Sequence, residues 1–216
     1  MHIAITGNIG AGKTTLAEKL AEHYGWDVYY EAVENNPYLA PFYNDMPKWS
    51  FKLQVFFLNS RFEQVLKIKS NGHKTIIQDR TIYEDAYIFA QNLYDSGHLN
   101  ETDFQTYKSL FTTIMKAISP PDLMIYLKAD IPKLLGQIKK RGRAYEENID
   151  PNYLSSLNVL YESFSSLYKH GKMIEIDVNK VDFVANVADF ELIRKVIEKN
   201  LNLGKQLKIR EGQERA

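Results

Sequence analysis

The chain contains no cysteine. Disulfide bonds, thiolate nucleophiles and cysteine metal sites are therefore excluded. The absence fits a reducing compartment, so we expect a cytoplasmic protein. The sequence also lacks an uninterrupted apolar segment near the roughly 18 residues that a transmembrane helix requires. No positively charged, apolar leader opens it, so we expect neither membrane insertion nor export.

The chain has no net charge, because 27 Lys and Arg residues balance 27 Asp and Glu residues. Proteins that bind nucleic acid usually carry a positive excess, so we expect no nucleic-acid polymer among the partners. A neutral chain fits an enzyme that acts on small molecules. The 216 residues suffice for one substantial core, and we predict a single domain over residues 1–202 followed by a charged tail over residues 203–216.

A glycine-rich stretch near the start, GNIGAGKTT, matches the pattern G-x-x-x-x-G-K-[ST]. It lies between an apolar strand pattern and a helical pattern, which is the context of a phosphate-binding loop rather than of a chance glycine turn. We predict that Lys13 reaches the β- and γ-phosphates of ATP and that the Thr14 hydroxyl ligates Mg²⁺. The residues expected to bind ATP are Gly7, Asn8, Ile9, Gly10, Ala11, Gly12, Lys13, Thr14 and Thr15.

Strand and helix patterns alternate along the chain. Strands are predicted at 2–6, 27–31, 74–78, 122–127 and 172–176. Helices are predicted at 13–24, 49–70, 83–94, 101–117, 131–141, 151–169 and 187–200. This alternation indicates an α/β fold in which helices flank a parallel sheet.

A second nucleotide-binding signal, Asn179-Lys180-Val181-Asp182, has the N-K-x-D pattern with which GTPases read guanine. A GTPase also needs a D-x-x-G switch, and no glycine of this chain has an aspartate three residues before it. The GTPase interpretation is therefore disfavoured. The segment either borders the nucleotide crevice at the end of a strand or is a plain polar turn.

Charged residues follow the second and third predicted strands. Glu31 ends one, and Asp79 and Arg80 follow the other. A kinase needs a carboxylate near the acceptor hydroxyl and positive charge around the moving phosphoryl group. Each residue alone could be a solvated strand-end charge, but three such charges beside a phosphate loop favour an active site.

Two predicted helices carry polar residues on otherwise apolar faces. Gln54 could bond a base edge, while Arg61 and Asp85 could form an ion pair. Phe89, four residues after Asp85, could stack on a base or simply pack in the core. The basic end of the helix over 131–141 is either an ordinary helix terminus or an arginine lid that closes on the triphosphate.

With these motifs in hand, the chain resembles the deoxyribonucleoside kinases related to deoxycytidine, deoxyguanosine and deoxyadenosine kinase. The resemblance covers roughly residues 1–183. It is carried by GNIGAGKTT, Glu31-Ala32-Val33, YNDMPKWSFKLQVFFLNSR, DRTIYEDAYIFA, RGR followed by Glu146, and DVNKVDF. It implies a P-loop kinase with a parallel five-stranded sheet, a short arginine-rich lid at about 141–149, ATP and Mg²⁺ as cofactors, and a homodimer.

The resemblance also implies roles for individual residues. Glu31 is similar to the general base on the 5′-hydroxyl, with Arg80 as its partner and Asp79 near Mg²⁺. Arg141 and Arg143 resemble the lid arginines, and Asp177 and Asn179 belong to the loop on the adenine side of ATP. The nucleoside-binding residues implied are Ile9, Glu31, Tyr43, Gln54, Phe57, Arg61, Arg80, Asp85, Phe89 and Glu146, with Tyr43 and Glu146 on the sugar 3′-hydroxyl.

Three positions depart from the family pattern. Ala32 replaces a common proline, Asp79 replaces the glutamate of some members, and Tyr145 replaces an acidic residue, which leaves Glu147 as a rival to Glu146.

The Arg61 and Asp85 pair goes with purines or cytosine in the family, and the stretch Glu34-Asn35-Asn36-Pro37-Tyr38 resembles bacterial deoxyadenosine kinases. We expect 5′-phosphorylation of deoxyadenosine, as a step of nucleotide salvage. Deoxyguanosine and deoxycytidine remain alternative substrates. A nucleoside monophosphate kinase and a nucleotide-gated switch remain alternative functions.

Overall fold

The computed structural model describes residues 1–33, 36–72 and 74–201. Five strands form one sheet in the order β2-β3-β1-β4-β5, and every neighbouring pair is parallel. The strands are β1 (His2–Gly7), β2 (Asp27–Tyr29), β3 (Ile76–Asp79), β4 (Leu123–Lys128) and β5 (Met173–Asp177). The predicted α/β class and parallel five-stranded sheet are confirmed.

Helices connect the strands, as parallel neighbours require. They are α1 (Lys13–Tyr24), α2 (Leu39–Asn44), α3 (Met46–Ser70), α4 (Ile82–Glu84), α5 (Gln91–Asp95), α6 (Glu101–Met115), α7 (Ile131–Arg141), α8 (Pro151–Leu167) and α9 (Val187–Leu201). A π-helix (Asp85–Ala90) joins α4 to α5, and a 3₁₀ turn (Ala144–Glu146) precedes α8.

The central strands are the most apolar and the most deeply buried. β1, β3 and β4 are buried over nearly their whole length, as expected for strands covered on both faces by other elements. The sheet order places β1 between β3 and β4. The loop after β1 therefore emerges beside the end of β3, which in turn neighbours β2, and this edge collects the predicted site residues.

The structure corrects several predicted boundaries. β2 ends at Tyr29, so Glu31 lies two residues beyond the strand. The helix predicted from residue 49 begins at Met46, because the Asp45 carboxylate caps the backbone N–H of Lys48 at 3.3 Å and a proline follows in the first turn. The short helix α2 was not predicted. Its six residues are too few to show a helical period.

The helix predicted over 83–94 is interrupted. Hydrogen bonds of the π type, from residue i to i+5, run through Asp85–Ala90. Such segments frequently mark functional sites because they re-aim the side chains that they carry. Here the segment contains both Asp85 and Phe89, which line the same cavity.

Across the described residues, no helix is both long and apolar enough to cross a membrane. The predicted tail over 203–216 lies outside the described residues. So do Glu34 and Asn35, two positions of the stretch that favoured deoxyadenosine.

Candidate active site

A cavity of about 790 Å³ opens at the carboxyl edge of the sheet, a size typical of small-molecule sites. It brings together segments that are far apart in the sequence. The predicted site residues that line it are Ile9, Gly10, Gly12, Lys13, Thr14, Thr15, Glu31, Tyr43, Gln54, Phe57, Asp79, Arg80, Asp85, Phe89, Arg141, Arg143 and Glu146.

The loop from β1 to α1 forms one end of the cavity, and its shape requires glycine. Gly7 has φ +148° and Gly10 has φ +86°. A Cβ on Gly7 would lie 2.7 Å from the carbonyl oxygen of Leu127, and one on Gly10 would lie 2.7 Å from that of Leu134. Any side chain at either position would therefore strain the backbone and collide with a neighbouring main chain.

Lys13 is buried at the base of this loop. Its Nζ donates to the carbonyl oxygens of Gly7 at 2.7 Å and Asn8 at 2.9 Å. Burial lowers the pKa of Lys13 to about 8, with a further lowering by Arg80 that nearby carboxylates oppose. The ammonium therefore stays mainly protonated at neutral pH and can attract phosphate.

Thr14 and Asp79 meet beside Lys13. The Thr14 hydroxyl donates to Asp79 Oδ2 at 2.5 Å, while the buried Oδ1 has no hydrogen-bond partner among the described residues. Those residues contain no group of three or more His, Asp or Glu side chains that could hold a metal ion. A hydroxyl and a single carboxylate fit Mg²⁺, which binds through few protein ligands together with waters and phosphates.

The same carboxylate oxygen of Glu31 forms ion pairs with two arginines. Oε1 lies 3.1 Å from Nη2 of Arg61 and 2.9 Å from Nε of Arg80, so Glu31 and Arg80 form an ion pair. Oε2 has no hydrogen bond to the described residues, and the side chain is 21% exposed. Burial alone would raise the pKa of Glu31, but Arg80, Arg61 and Lys13 together lower it to about 2. Glu31 is therefore an anion with one oxygen available.

Arg80 has an uncommon backbone conformation. Its φ is +73°, the left-handed region that non-glycine residues rarely adopt. Residues held in this way cluster at active sites, where the surroundings fix them. The guanidinium carbon lies 4.6 Å from the centroid of the Phe89 ring, a cation–π distance. Phe89 therefore contacts Arg80 and also lines the cavity.

The predicted pair of Arg61 and Asp85 forms, with Nε 3.3 Å from Oδ2. Arg61 is fully buried and lies behind the cavity rather than on its wall. It links Asp85 to Glu31, a contact that the sequence analysis did not predict. Burial raises the pKa of Asp85 to about 7, against the opposing effect of Arg61 and Arg80. Gln54 lines the cavity beside them, and its buried Oε1 has no partner among the described residues.

The segment after α7 closes the cavity on another side. The Glu146 carboxylate pairs with Arg141 and, at 3.6 Å, with Arg143. Tyr43 stacks on Tyr145, with 5.7 Å between ring centroids. Glu146 is buried and lines the cavity, whereas its rival Glu147 is exposed.

Besides Arg61, five of the predicted site residues do not line this main cavity. Gly7, Asn8 and Ala11 lie within the phosphate loop, and Ala11 lines a smaller adjoining cavity. The other two lie after β5, where the Asp177 carboxylate accepts from Asn179 N at 3.0 Å and the Asn179 amide oxygen accepts from Asp130 N at 3.0 Å. Both side chains thus hold the loop itself. The smaller cavity is lined instead by the following residues, Val181, Asp182, Phe183 and Val184.

Two buried residues of the site were missed. Glu84 is fully buried and contacts Arg80, and the hydroxyl of Tyr161 contacts both. The sequence contains a local pattern that points to Glu84, because Glu84 lies three residues after Thr81, the spacing of a capping box. No such pattern points to Tyr161, because a tyrosine on an amphipathic helix ordinarily indicates packing alone.

The family model for deoxynucleoside kinase matches residues 3–202. The chain belongs to this family. Its members transfer phosphate to deoxynucleosides, so this deoxynucleoside kinase is an enzyme, and the resemblance drawn from the motifs is confirmed.

Individual relatives agree on the family but differ in substrate. The chain is 36% identical over 193 residues to the deoxyadenosine/deoxycytidine kinase of Bacillus subtilis, covering 88% of each chain. It is 34% identical to the deoxyguanosine kinase of the same organism, covering 88% of this chain and 93% of the relative. The structure of deoxyadenosine kinase from M. mycoides with dCMP and dCDP superposes with a TM-score of 0.82 at 32% identity, covering 92% of this deoxynucleoside kinase and all of that chain.

Proposed function

We propose that this deoxynucleoside kinase transfers the γ-phosphoryl group of ATP to the 5′-hydroxyl of deoxyadenosine, giving deoxyadenosine monophosphate and ADP. The observation that carries the proposal is the Glu31 carboxylate, which holds two arginines on Oε1 and keeps Oε2 available in the cavity that contains the phosphate loop. A nucleotide-gated switch has no need of such an acceptor group.

In the proposed reaction, Glu31 Oε2 accepts the proton of the 5′-hydroxyl while the 5′-oxygen forms a bond to the γ-phosphorus. The bond between that phosphorus and the β,γ-bridging oxygen breaks, and ADP leaves. A pKa of about 2 makes Glu31 a weak base. A loose phosphoryl-transfer transition state demands positioning and electrostatic stabilisation more than strong basicity, so a fixed carboxylate suffices.

Positive charge around the transferred group comes from several sides. Lys13 would contact the β- and γ-phosphates, Arg80 would face the transferred phosphoryl group, and Arg141 and Arg143 would close from a lid at about 141–149. Thr14 and Asp79 would hold Mg²⁺, which neutralises phosphate charge when bound. The adenine of ATP would lie against the smaller cavity, so Phe183 and Val184 are better candidates for contact than Asp177 and Asn179.

The sugar and base would occupy the rest of the cavity. Tyr43 and Glu146 would hold the 3′-hydroxyl, with Ile9 and Phe57 packing on the nucleoside. The carboxamide of Gln54 offers an acceptor beside a donor, which complements the amino group and ring nitrogen of adenine. Cytosine presents the same pair of groups, so deoxycytidine is the second candidate; guanine presents an oxygen in place of the amino group.

The remaining expectations are part of the same proposal. We propose that residues 1–202 form one catalytic domain, that the enzyme acts as a homodimer, and that it works in the cytoplasm in nucleotide salvage. Size-exclusion chromatography with light scattering tests the dimer independently of the reaction.

One assay tests the reaction. ADP release is measured with ATP, Mg²⁺ and each of the four deoxynucleosides, and with deoxyadenosine monophosphate as a fifth acceptor. We expect the highest kcat/KM with deoxyadenosine. Release equal to the acceptor-free background with all four nucleosides would contradict the proposal. ADP release without any acceptor would indicate a switch, and stimulation by the monophosphate alone would indicate a nucleoside monophosphate kinase.

A further inference from the structure

We propose that Glu84 is a positioning residue that fixes the Arg80 guanidinium against Glu31 and ties it to the phosphate loop. The inference rests on the proposed function, because it assumes that Glu31 and Arg80 act at the acceptor hydroxyl. Glu84 itself does not line the cavity and is fully buried. It therefore acts through other residues and not on the substrate.

The two carboxylate oxygens of Glu84 have separate partners. Oε2 accepts the backbone N–H of Thr81 at 2.8 Å, which completes the capping box of α4. Oε1 faces the active site, where it accepts from the Tyr161 hydroxyl at 2.7 Å, from Arg80 Nη1 at 3.3 Å and, at the long distance of 3.4 Å, from Gly7 N. Only Oε2 is needed for the cap, so the contacts of Oε1 need another explanation.

Those contacts determine how Arg80 presents its charge. Nε lies 2.9 Å from Glu31, and Nη1 donates to Glu84 and, at 3.0 Å, to the Tyr161 oxygen. Nη2 makes no hydrogen bond to any described residue, so it is the nitrogen left to meet the transferred phosphoryl group. With one edge on Glu31 and the other end on Glu84 and Tyr161, the planar guanidinium cannot rotate.

Glu84 also connects the two halves of the site. Gly7 begins the phosphate loop, and Arg80 holds the carboxylate proposed to accept the 5′-proton. A shared carboxylate between them sets the distance between donor and acceptor. Misplacing a reacting group by about 1 Å can lower the rate by roughly 10²-fold, so this link should affect turnover more than binding.

Glu84→Gln separates this role from the capping role. Glutamine serves as well as glutamate in a capping box, so its carbonyl oxygen can still accept from Thr81 N. The amide NH₂ would then face Nη1 of Arg80, donor against donor. We expect kcat to fall about 10- to 100-fold, while KM for ATP and KM for deoxyadenosine each change less than about threefold, because neither ligand contacts Glu84.

Tyr161→Phe provides a second variant that does not depend on the buried charge. Loss of the hydroxyl removes one partner of Arg80 and one of Glu84, so kcat should again fall with little change in KM. Tyr168→Phe is the matched control: Tyr168 follows α8, does not line the cavity, and its buried hydroxyl has no hydrogen-bond partner among the described residues. This control should keep wild-type kcat.

The double variant Glu84→Gln/Tyr161→Phe tests whether the two residues act as one unit on Arg80. Its kcat should be no lower than that of the less active single variant, because the effects of residues that act as one unit are not additive. The thermal midpoint of every variant is measured alongside. A purely structural carboxylate would lower the midpoint and leave kcat of the folded enzyme unchanged, which would overturn the proposal.

Failure of this inference is distinguishable from failure of the proposed function. An inactive wild type refutes the proposed function. An active wild type whose kcat is retained in Glu84→Gln refutes the role of Glu84 alone. If Glu84→Gln does not fold, Tyr161→Phe decides: a selective fall in kcat supports the proposal, and wild-type kcat contradicts it.

Discussion

The phosphate loop and the acceptor pocket face one cavity but are built in opposite ways. The loop is a single run of nine residues, GNIGAGKTT, and its shape depends on glycine backbone conformations. The pocket draws charged side chains from four separate places: the segment after β2, helix α3, the residue after β3, and the helical stretch that follows it. One part is specified locally, the other by long-range ion pairs.

The difference determines what each part tolerates. A side chain at Gly7 or Gly10 would clash with a backbone carbonyl oxygen, and substituting a distant side chain would not relieve that clash. In the pocket, Glu31, Glu84 and Asp85 form ion pairs with Arg61 and Arg80, so removing any one charge leaves its partners buried without that ion pair. Variants of the loop should therefore impair every substrate equally, whereas variants of the pocket should affect acceptor chemistry and acceptor choice.

The largest effect expected is for Glu31→Gln. The variant removes the anionic oxygen that accepts the 5′-proton, so kcat should fall by about 10²–10⁴-fold, the usual range for loss of a general base. KM for ATP should be unchanged because the phosphate loop is intact. Steady-state kinetics with saturating ATP and deoxyadenosine measures both constants.

The control for this variant is Glu22→Gln, which removes an exposed carboxylate on α1 that does not line the cavity. It should keep the wild-type kcat. A nearly wild-type kcat in Glu31→Gln would contradict the role of Glu31 as proton acceptor. It would also weaken the contrast between the phosphate loop and the acceptor pocket.

The same contrast explains what could be predicted from the sequence. The loop residues and the sheet were predictable because each depends on a local pattern. Glu31 and Arg80 were placed at one edge because both follow strands that end there, whereas their pairing came from the family resemblance. The link from Arg61 to Glu31, the buried position of Arg61 and the π-helix depend on how separate helices pack, which no local pattern records.

The next largest effect is expected for Lys13→Ala in the loop. Removing one fixed positive donor from a site of charge development lowers the rate by about 10²–10³-fold. Because Lys13 contacts the donor side, the loss in kcat/KM should be equal for every deoxynucleoside. Lys19→Ala, on the same helix but away from the cavity, is the control. A loss that depends strongly on the nucleoside would show that loop and pocket are not separable.

A smaller, selective effect is expected for Gln54→Leu in the pocket. Leucine has a similar volume but no hydrogen-bonding groups, so the preference for deoxyadenosine over thymidine should fall about 10- to 100-fold, the range expected when buried polar groups of the base lose their hydrogen-bond partner. KM for ATP should not change. The ratio of kcat/KM between the two nucleosides is the measurement; an equal loss with both would count against a role of Gln54 in base recognition.

The smallest effect is expected from pH and concerns Asp85. Its pKa is raised to about 7 by burial, so the ion pair with Arg61 is complete above pH 7 and is lost as the carboxylate gains a proton on acidification. KM for deoxyadenosine at saturating ATP should rise by up to about tenfold between pH 7 and pH 6, the limit for a single titrating group. Glu31, with a pKa of about 2, stays ionised throughout this range, and the lowered pKa of Lys13, about 8, acts on the donor side and above neutrality. Asp85→Asn should therefore abolish the acidic rise in KM, and persistence of the rise in that variant would assign it to another group.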